Sequence, residues 1–169
     1  MEPISYKINL KNITTVILDF DGVLTDGTVF LMPPTEFVRT MNVRDSFAIQ
    51  FAVNNGIRVA IITGGNNLVV KERMLYLGVK DVFLKAHDKL SVYEEYKKVN
   101  HLTDQEILYM GDDMPDFAVM KKAGIAIAPN DAVEEIKSIS HYVSPFKGGH
   151  GCVRDVLEQI LKIKGVWRF

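Results

Sequence analysis

The sequence is short of several features, and each shortage excludes a class of protein. It contains one cysteine, Cys152, so no disulfide forms within the chain and a disulfide-stapled scaffold is excluded. The apolar neighbours Val153 and Val156 predict a small buried side chain beside a helix rather than a reactive thiol. No apolar run approaches the ~20 residues of a membrane-spanning helix. The first residues lack the basic and apolar segments of a secretory signal, and we therefore expect a cytoplasmic protein without a membrane partner.

An excess of charge of one sign is also lacking. The chain carries 20 basic and 21 acidic residues, for a formal net charge of −1. This balance gives no general attraction to nucleic acid or to an anionic lipid surface, so we expect neither as a partner. Any anionic ligand must be held by a local positive cluster. The remaining composition, 47% apolar and 24% charged over 169 residues, predicts one globular domain spanning residues 1–169.

Apolar runs alternate with helical patterns along the chain. Runs suited to buried strands extend over Val16 to Phe20, Arg58 to Ile62, Val82 to Leu84, Ile107 to Met110 and Ile125 to Ala128. Helical spacing is found in four apolar stripes, at Phe47, Ala48 and Phe51, at Val70, Met74 and Leu77, at Val92, Tyr96 and Val99, and at Val153, Val156, Leu157, Ile160 and Leu161. This alternation predicts an α/β fold, a Rossmann-like parallel sheet with helices on both faces.

The segment from Gly27 to Met41, "GTVFLMPPTEFVRTM", does not fit the alternation. Its two strand-like halves around "PPT" predict a β-hairpin with a proline turn. The apolar content of this hairpin exceeds what a two-stranded ribbon buries by itself. We therefore expect another surface, such as that of a second subunit, to cover it.

Polar, glycine-rich sequence follows three of the predicted strands. "DFDGVLTDG" follows the first, "TGGNN" the second and "GDDMPD" the fourth, while "HDKL" places Lys89 at a helix start after the third. In a parallel sheet such segments meet at the carboxyl ends of the strands, provided that the strands are neighbours. Crowded carboxylates repel one another unless a cation or a proton relieves them. Together with a hydroxyl and an ammonium group, they suit a hard cation and a phosphate held side by side.

Each of these residues has an ordinary structural explanation when it is taken alone. Asp19 or Asp112 could cap a turn, since Asp is common there. Thr63 could simply end a strand, and Lys89 could be a solvated helix residue. Their joint occurrence at the same end of successive strands favours a functional site.

The four motifs resemble those of the haloacid dehalogenase superfamily of phosphohydrolases. The first fits the pattern DxDGxxTDG, and the resemblance implies that Asp19 is the nucleophile and Asp21 the general acid and base. The second and third motifs correspond to Thr63 and Lys89. With Gly64, these two residues are implied to bind the phosphate group of the substrate.

The resemblance, which extends from Val16 to about Asp155, also implies a Mg²⁺ cofactor. Its ligands would be the carboxylate of Asp19, the backbone carbonyl of Asp21 and the carboxylate of Asp112. Asp113 would then contact the ligands rather than the metal.

The chain has no room for the cap domain that many members of this superfamily insert. The space after Asp26 holds only the hairpin, and Gly64 to Lys89 holds one helix and one strand. With "NVRDSFAIQ" and "GGHGCVRDV", this design resembles the capless 3-deoxy-D-manno-octulosonate 8-phosphate phosphatase subfamily. That resemblance implies hydrolysis of this sugar-acid phosphate through an aspartyl phosphate, in lipopolysaccharide precursor synthesis, with Arg44 meeting the sugar acid. It also implies a homotetramer assembled through the hairpins, with active sites near the subunit interfaces.

Two positions depart from the subfamily pattern. Gly65 stands where many members have arginine, so one contact to the substrate carboxylate is missing or comes from elsewhere, and His150 likewise replaces a common arginine. The nonulosonate 9-phosphate phosphatases share this architecture and differ in such contacts, and they are therefore the alternative. The C-terminal segment with Trp167 and Phe169 either approaches a neighbouring active site or packs on its own subunit.

Two non-enzymatic classes fit the sequence less well. A response-regulator receiver domain also combines an acid pair, a phosphorylated Asp, a Thr or Ser and a Lys, but its acid pair precedes the phosphoacceptor, whereas the DxD motif comes first here. The hairpin is also foreign to a receiver. A catalytically silent oligomerisation domain is disfavoured because every catalytic position of the superfamily is filled.

Overall fold

Strands and helices alternate along the chain much as the sequence predicts. The computed structural model describes residues 6–32 and 36–168. The strands are β1 (Thr15–Leu18), β2 (Phe30–Met32), β3 (Glu36–Val38), β4 (Arg58–Ile62), β5 (Asp81–Phe83), β6 (Ile107–Met110), β7 (Ile125–Ala128) and β8 (Tyr142–Val143). The helices are α1 (Lys7–Leu10), α2 (Val43–Asn54), α3 (Leu68–Tyr76), α4 (Lys89–Val99), α5 (Phe117–Met120), α6 (Glu134–Ile139) and α7 (Cys152–Ile163), with 3₁₀ turns at Asp104–Glu106 and Met114–Asp116. Of the helices in the described ranges, none is long and apolar enough to cross a membrane.

Six strands form one parallel sheet in the order β5-β4-β1-β6-β7-β8. Val16 of β1 lies opposite Val59 of β4 on one side and opposite Leu108 of β6 on the other. The direction of winding reverses at β1, and the ligand crevice of a doubly wound sheet lies at the carboxyl end of such a strand. Because β4, β1 and β6 are neighbours, their three polar loops meet there, as the predicted convergence requires.

Two apolar layers, one on each face of the sheet, hold the helices in place. Val16 and Leu18 point into one layer and Ile17 into the other, because side chains alternate along a strand. The first layer packs α2, α3 and α7, and the second packs α4, α5 and α6. The predicted apolar stripe of α7 is buried along its whole length. The predicted fold class, a parallel sheet with helices on both faces, is confirmed.

The predicted hairpin forms a separate antiparallel ribbon of β2 and β3, with Leu31 opposite Phe37. The predicted proline turn at 33–35 lies outside the described residues. Leu31 is 77% exposed and Phe30 56% exposed. The Nδ2 group of Asn67 donates to the Phe37 carbonyl at 3.2 Å and so joins the ribbon to the loop after β4. Within the described part of one chain, much of the apolar surface of the ribbon therefore stays uncovered.

Two residues of the predicted apolar stripes, one on α2 and one on α4, are exposed rather than buried. Phe47 is 43% exposed and Val99 is 67% exposed. The residues that α2 and α4 bury include Ala48, Ile49, Ala52, Tyr93 and Tyr96. The Phe47 ring instead lies at the surface, 6.1 Å from the ring of Trp167. Helical spacing alone could not reveal this partner, because it comes from the far end of the chain.

The C-terminal segment packs on its own chain at Trp167. The ring centroids of Trp167 and Phe51 are 5.1 Å apart, and the guanidinium carbon of Arg154 lies 4.9 Å from the Trp167 ring. The sequence left open whether this segment approaches a neighbouring active site or packs on its own subunit, and Trp167 packs on its own subunit. Phe169 lies outside the described residues.

Candidate active site

The acid loop, residues 19–27, begins where β1 ends. The N–H of Asp19 donates to the Met110 carbonyl at 3.0 Å, which extends the pairing of β1 with β6. Gly22 adopts φ +85°, and a Cβ there would lie 2.0 Å from an Oδ2 atom of Asp112. Glycine is therefore required at this position, both for the positive φ and for the close approach of the Asp112 carboxylate to the acid loop.

The glycine loop, residues 148–151, packs against the acid loop. The N–H of Gly149 donates to the Val23 carbonyl at 2.9 Å, and the thiol of Cys152 donates to the same carbonyl at 3.3 Å. Burial raises the pKa of the Cys152 thiol, which is consistent with the predicted inert, buried cysteine. The position of the acid loop thus depends on residues near the other end of the chain.

Asp45, a fully buried residue of α2, fixes the glycine loop to the start of α7. Its carboxylate accepts the N–H of Gly151 at 3.2 Å and the N–H of Arg154 at 2.6 Å. Burial raises the pKa of Asp45, while these two N–H groups oppose the rise. The carboxylate therefore caps α7 from a neighbouring helix, a role that the sequence pattern did not predict.

Asp19, Lys89 and Asp116 form a buried chain of ion pairs. The Nζ atom of Lys89 lies 2.9 Å from Asp19 Oδ1 and 2.7 Å from Asp116 Oδ1. Asp116 also accepts the Tyr109 hydroxyl at 2.6 Å and the N–H of Asp112 at 3.3 Å. These contacts hold the ammonium group directly beside the Asp19 carboxylate.

Asp116 is a site residue to which sequence reasoning gave no role. It is the last letter of "GDDMPD", and the 3₁₀ turn Met114–Asp116 returns its carboxylate to Lys89. Its place four residues after Asp112 was the available signal. Sequence reasoning lacked the geometry of the turn, which decides whether that acid faces solvent or the site.

Burial and crowding perturb these ionisable groups. Burial and then the Asp116 carboxylate raise the pKa of Asp19 to about 8, against the lowering effect of Lys89. The same two causes raise the pKa of Asp112 to about 7. Burial lowers the pKa of Lys89, but the carboxylates of Asp19 and Asp116 outweigh it and raise the pKa overall. One ammonium group does not offset this many acids, so the site favours a further cation.

A guanidinium group from the hairpin binds Asp21. Arg39 directly follows β3, and its Nε and Nη2 atoms lie 2.6 and 3.0 Å from the two carboxylate oxygens of Asp21. This is a bidentate ion pair, the strongest geometry for such groups. Sequence reasoning missed Arg39, because its contact with Asp21 depends on how the hairpin folds back over the acid loop.

The acid pocket, a cavity of about 400 Å³, opens among these groups at the carboxyl end of β1. The hydroxyl oxygen of Thr63 accepts the N–H of Gly65 at 3.1 Å, which fixes its orientation at the pocket wall. The structure brings together nearly all predicted site residues here: Asp19, Asp21, Thr63, Gly64, Lys89, Asp112 and Asp113.

Arg44 is the predicted site residue that does not line the acid pocket. It lies exposed in the first turn of α2, where its N–H donates to Asn42 Oδ1 at 2.8 Å. Asp113 lies at the pocket edge, exposed, and accepts the N–H of Met114 at 2.8 Å. The substrate contact of Arg44 and the contact of Asp113 with metal ligands both stay predictions.

Three carboxylates in the acid pocket could hold a metal ion. Asp19, Asp112 and Asp116 place one oxygen each within 4.8 Å of one another. Two of them are predicted ligands, and the third predicted ligand is the backbone carbonyl of Asp21 rather than its side chain. Oxygen donors of this kind fit a hard cation such as Mg²⁺.

The fold and the pocket together define a class of hydrolase. A family model described as haloacid dehalogenase-like hydrolase matches residues 73–155, which include Lys89, Asp112 and Asp116. The acid loop precedes the matched segment but lies against it in space, through the contact of Asp112 with Gly22. The chain thus has the architecture of a haloacid dehalogenase-like hydrolase without a cap domain in its described part.

Similar proteins narrow the class further. The 3-deoxy-D-manno-octulosonate 8-phosphate phosphatase of Yersinia pestis is 35% identical over 150 residues, which cover 89% of this chain and 80% of that protein. A crystal structure of a 3-deoxy-D-manno-octulosonate 8-phosphate phosphatase from Yersinia pestis superimposes with a TM-score of 0.93 at 33% identity, covering 96% of this chain and 88% of that one. The corresponding phosphatase from Moraxella catarrhalis, solved with magnesium, phosphate and a KDO molecule, has a TM-score of 0.90 at 31% identity and coverages of 92% and 90%. The chain belongs to the family of 3-deoxy-D-manno-octulosonate 8-phosphate phosphatases.

Proposed function

We propose that the chain hydrolyses 3-deoxy-D-manno-octulosonate 8-phosphate to the free sugar acid and phosphate, with Mg²⁺ as cofactor. The observation that carries the proposal is the buried Asp19 carboxylate at the end of β1, 2.9 Å from Lys89 and beside a cluster of further acids. The receiver and silent-domain alternatives are set aside, because the family to which the chain belongs is one of phosphatases.

Asp19 acts as the nucleophile in this proposal. Its carboxylate attacks phosphorus and displaces the sugar oxygen, which gives an aspartyl phosphate and splits one difficult displacement into two easier steps. A phosphate dianion repels a carboxylate, so its charge must be offset before the attack. Lys89 does this as a fixed ammonium group, and Thr63 with the N–H groups of the Gly64 turn binds the phosphate oxygens.

Asp21 acts as the general acid and base. It stands two residues after the nucleophile on the same loop and lines the same pocket. In the first step its carboxyl group protonates the leaving sugar oxygen, and in the second it takes a proton from the water that hydrolyses the aspartyl phosphate. Loss of such a group typically slows turnover by about 10²- to 10⁴-fold.

The carboxylates of Asp19 and Asp112, with the backbone carbonyl of Asp21, are the proposed Mg²⁺ ligands, and Asp116 and Asp113 support them. When bound, the cation supplies charge neutralisation for the phosphate and for the crowded acids. Asp116 is already engaged by Lys89 and Tyr109, which suits an orienting role better than a direct bond to the metal.

The assembly is proposed to be a homotetramer joined through the hairpins. The apolar side chains of β2 and β3 are largely exposed in one chain, and burying such a surface stabilises an interface. A neighbouring subunit would also limit water access to the acid pocket, which the described residues of one chain leave open.

A substrate panel with Mg²⁺ tests the proposed function. We expect 3-deoxy-D-manno-octulosonate 8-phosphate to give the highest kcat/KM, above nine-carbon nonulosonate 9-phosphates and above simple sugar phosphates. A preference for a nine-carbon substrate would reassign the enzyme to the alternative group. Absence of phosphate release from every member of the panel would refute the phosphatase assignment.

A further inference from the structure

The ion pair between Arg39 and Asp21 places the proposed general acid under the control of the hairpin. Nε and Nη2 of Arg39 bind both oxygens of Asp21, and Nη1 donates to the Phe37 carbonyl at 3.3 Å. The side chain of Arg39 is 16% exposed and that of Asp21 33% exposed. The guanidinium group is therefore fixed between the ribbon and the acid loop rather than free in solvent.

This contact has a mechanical consequence for Asp21. Both of its oxygens accept N–H groups from one rigid fork, so the hairpin holds the whole carboxylate through Arg39. A carboxyl group must lie within hydrogen-bond reach of the atom to which it delivers a proton. Asp21 has to leave Arg39, at least in part, before it can serve the reaction.

The ion pair also lies between two cavities. Asp21 and Gly65 line the acid pocket, whereas Arg39 and Asn66 line a second cavity of about 1000 Å³ beneath the hairpin. A Cβ on Gly65 would lie 3.6 Å from Asp21 Oδ2, so the absence of a side chain there leaves space directly beside Asp21. This open space is a route by which a substrate with its phosphate in the acid pocket can extend its sugar acid past Arg39.

The positive groups near the two cavities suit a ligand that carries a carboxylate in addition to its phosphate. Among the described residues that line the acid pocket, Lys89 is the only lysine or arginine, and Asp19 and Asp116 already engage it. A sugar-acid phosphate brings a second anion, the carboxylate, that needs a donor outside this pocket. The planar fork of Arg39 matches a carboxylate as well as it matches Asp21.

We propose that Arg39 is a specificity-determining residue that exchanges Asp21 for the carboxylate of the substrate. Binding of the sugar acid then frees Asp21 for proton transfer. A phosphate ester without a carboxylate is bound weakly, and its leaving oxygen is protonated slowly because Asp21 stays paired with Arg39. This inference rests on the proposed function, since it concerns the same substrate and the same pocket.

The test compares Arg39→Met and Arg39→Lys with wild type on two substrates, 3-deoxy-D-manno-octulosonate 8-phosphate and arabinose 5-phosphate, which lacks a carboxylate. For Arg39→Met we expect kcat/KM on the sugar-acid phosphate to fall about 10- to 100-fold, mostly through KM, as for the loss of charge-assisted hydrogen bonds. On arabinose 5-phosphate kcat should rise, because Asp21 is no longer held by Arg39. Arg39→Lys, which keeps the charge but not the fork, should lie between the two.

Lys71→Met is the matched control, because it removes one exposed positive charge from α3 away from the pocket. Calorimetric binding of the free sugar acid to wild type and to Arg39→Met provides a readout that does not need turnover, and we expect weaker binding to the variant. An equal loss on both substrates, or identical binding of the sugar acid to both proteins, overturns the inference. The wild-type preference between the two substrates tests the proposed function separately.

Discussion

Residue-level electrostatics dominate the acid pocket, where five aspartates line the wall together with one lysine. The nucleophilic role of Asp19 leads to a direct prediction. Asp19→Asn should abolish turnover, because an amide neither attacks phosphorus nor offsets the charge of a cation. Circular dichroism should show an intact fold, since the substitution is nearly isosteric. Exposed Asp113→Asn is the control and should retain far more activity than Asp19→Asn in the same phosphate-release assay.

The raised pKa values predict how Mg²⁺ stabilises the protein at different pH. Burial and the neighbouring Asp116 raise the pKa of Asp112 to about 7 and that of Asp19 to about 8, from 3.8 in an unfolded chain. Without metal, the folded state therefore holds protons that the unfolded state has released, so stability falls as the pH rises from about 4, and this contribution is fully lost above pH 7 to 8. A bound divalent cation replaces those protons.

We therefore expect Mg²⁺ to raise Tm more at pH 8 than at pH 6. At 100 times its Kd a ligand adds about 2.7 kcal/mol, and each kcal/mol shifts Tm by about 2–4 °C for a chain of this size. Differential scanning fluorimetry with Mg²⁺ or a chelator measures the shift. Asp112→Asn should reduce it, and a Mg²⁺ effect that is equal at both pH values would contradict this account of the crowded acids.

At this scale most residues that line the pocket could be predicted, but the residues that hold them in place could not. Asp19, Thr63 and Lys89 follow predicted strands, and the parallel sheet then brings such positions to one edge. Arg39 and Asp116 reach the site only through the fold of a ribbon and of a 3₁₀ turn. The spacing of residues in the sequence predicts neither position, because each depends on where a short, irregular segment packs.

At the level of elements, the central strands were the most predictable part. Arg58–Ile62, Ile107–Met110 and Ile125–Ala128 were predicted at the bounds observed, because continuous apolar runs of this length are typical of strands buried on both faces. The helices α1, α5 and α6 and the strand β8 were not predicted. Each is too short, at four, four, six and two residues, to show a clear period.

The cap of α7 by Asp45 gives a prediction about stability. Asp45→Ala would leave the N–H groups of Gly151 and Arg154 without their buried acceptor, so we expect the free energy of unfolding to fall by about 1–3 kcal/mol. Glu158→Ala is the control. Glu158 lies on α7 itself, and its carboxylate pairs with Arg154 and Lys162 at the surface. Its removal should lower the free energy of unfolding by at most about 1 kcal/mol. Urea unfolding that finds equal losses would rule out the capping role.

For the whole molecule, the exposed hairpin gives a prediction about assembly. Replacing both Phe30 and Leu31 with Asp should yield species smaller than the homotetramer that we propose for the wild type, with much reduced activity on the sugar-acid phosphate, because charges would be placed in the proposed interface. Val99→Asp, at an exposed apolar position on α4, is the control and should not change the assembly. Light scattering distinguishes the two, and a fully active wild-type monomer would refute the tetramer.

The packing of α7 and the segment after it against α2 makes Trp167 a natural fluorescence probe of this contact. Trp167 is the only tryptophan in the chain, and its ring packs against those of Phe47 and Phe51, so its emission depends on this contact. The same packing brings the glycine loop onto the acid loop, which joins residues more than 120 positions apart. Contacts of such sequence separation form slowly in folding. After dilution from denaturant, recovery of the native Trp167 emission should therefore coincide with recovery of phosphatase activity, and both should lag behind the far-ultraviolet signal of the helices.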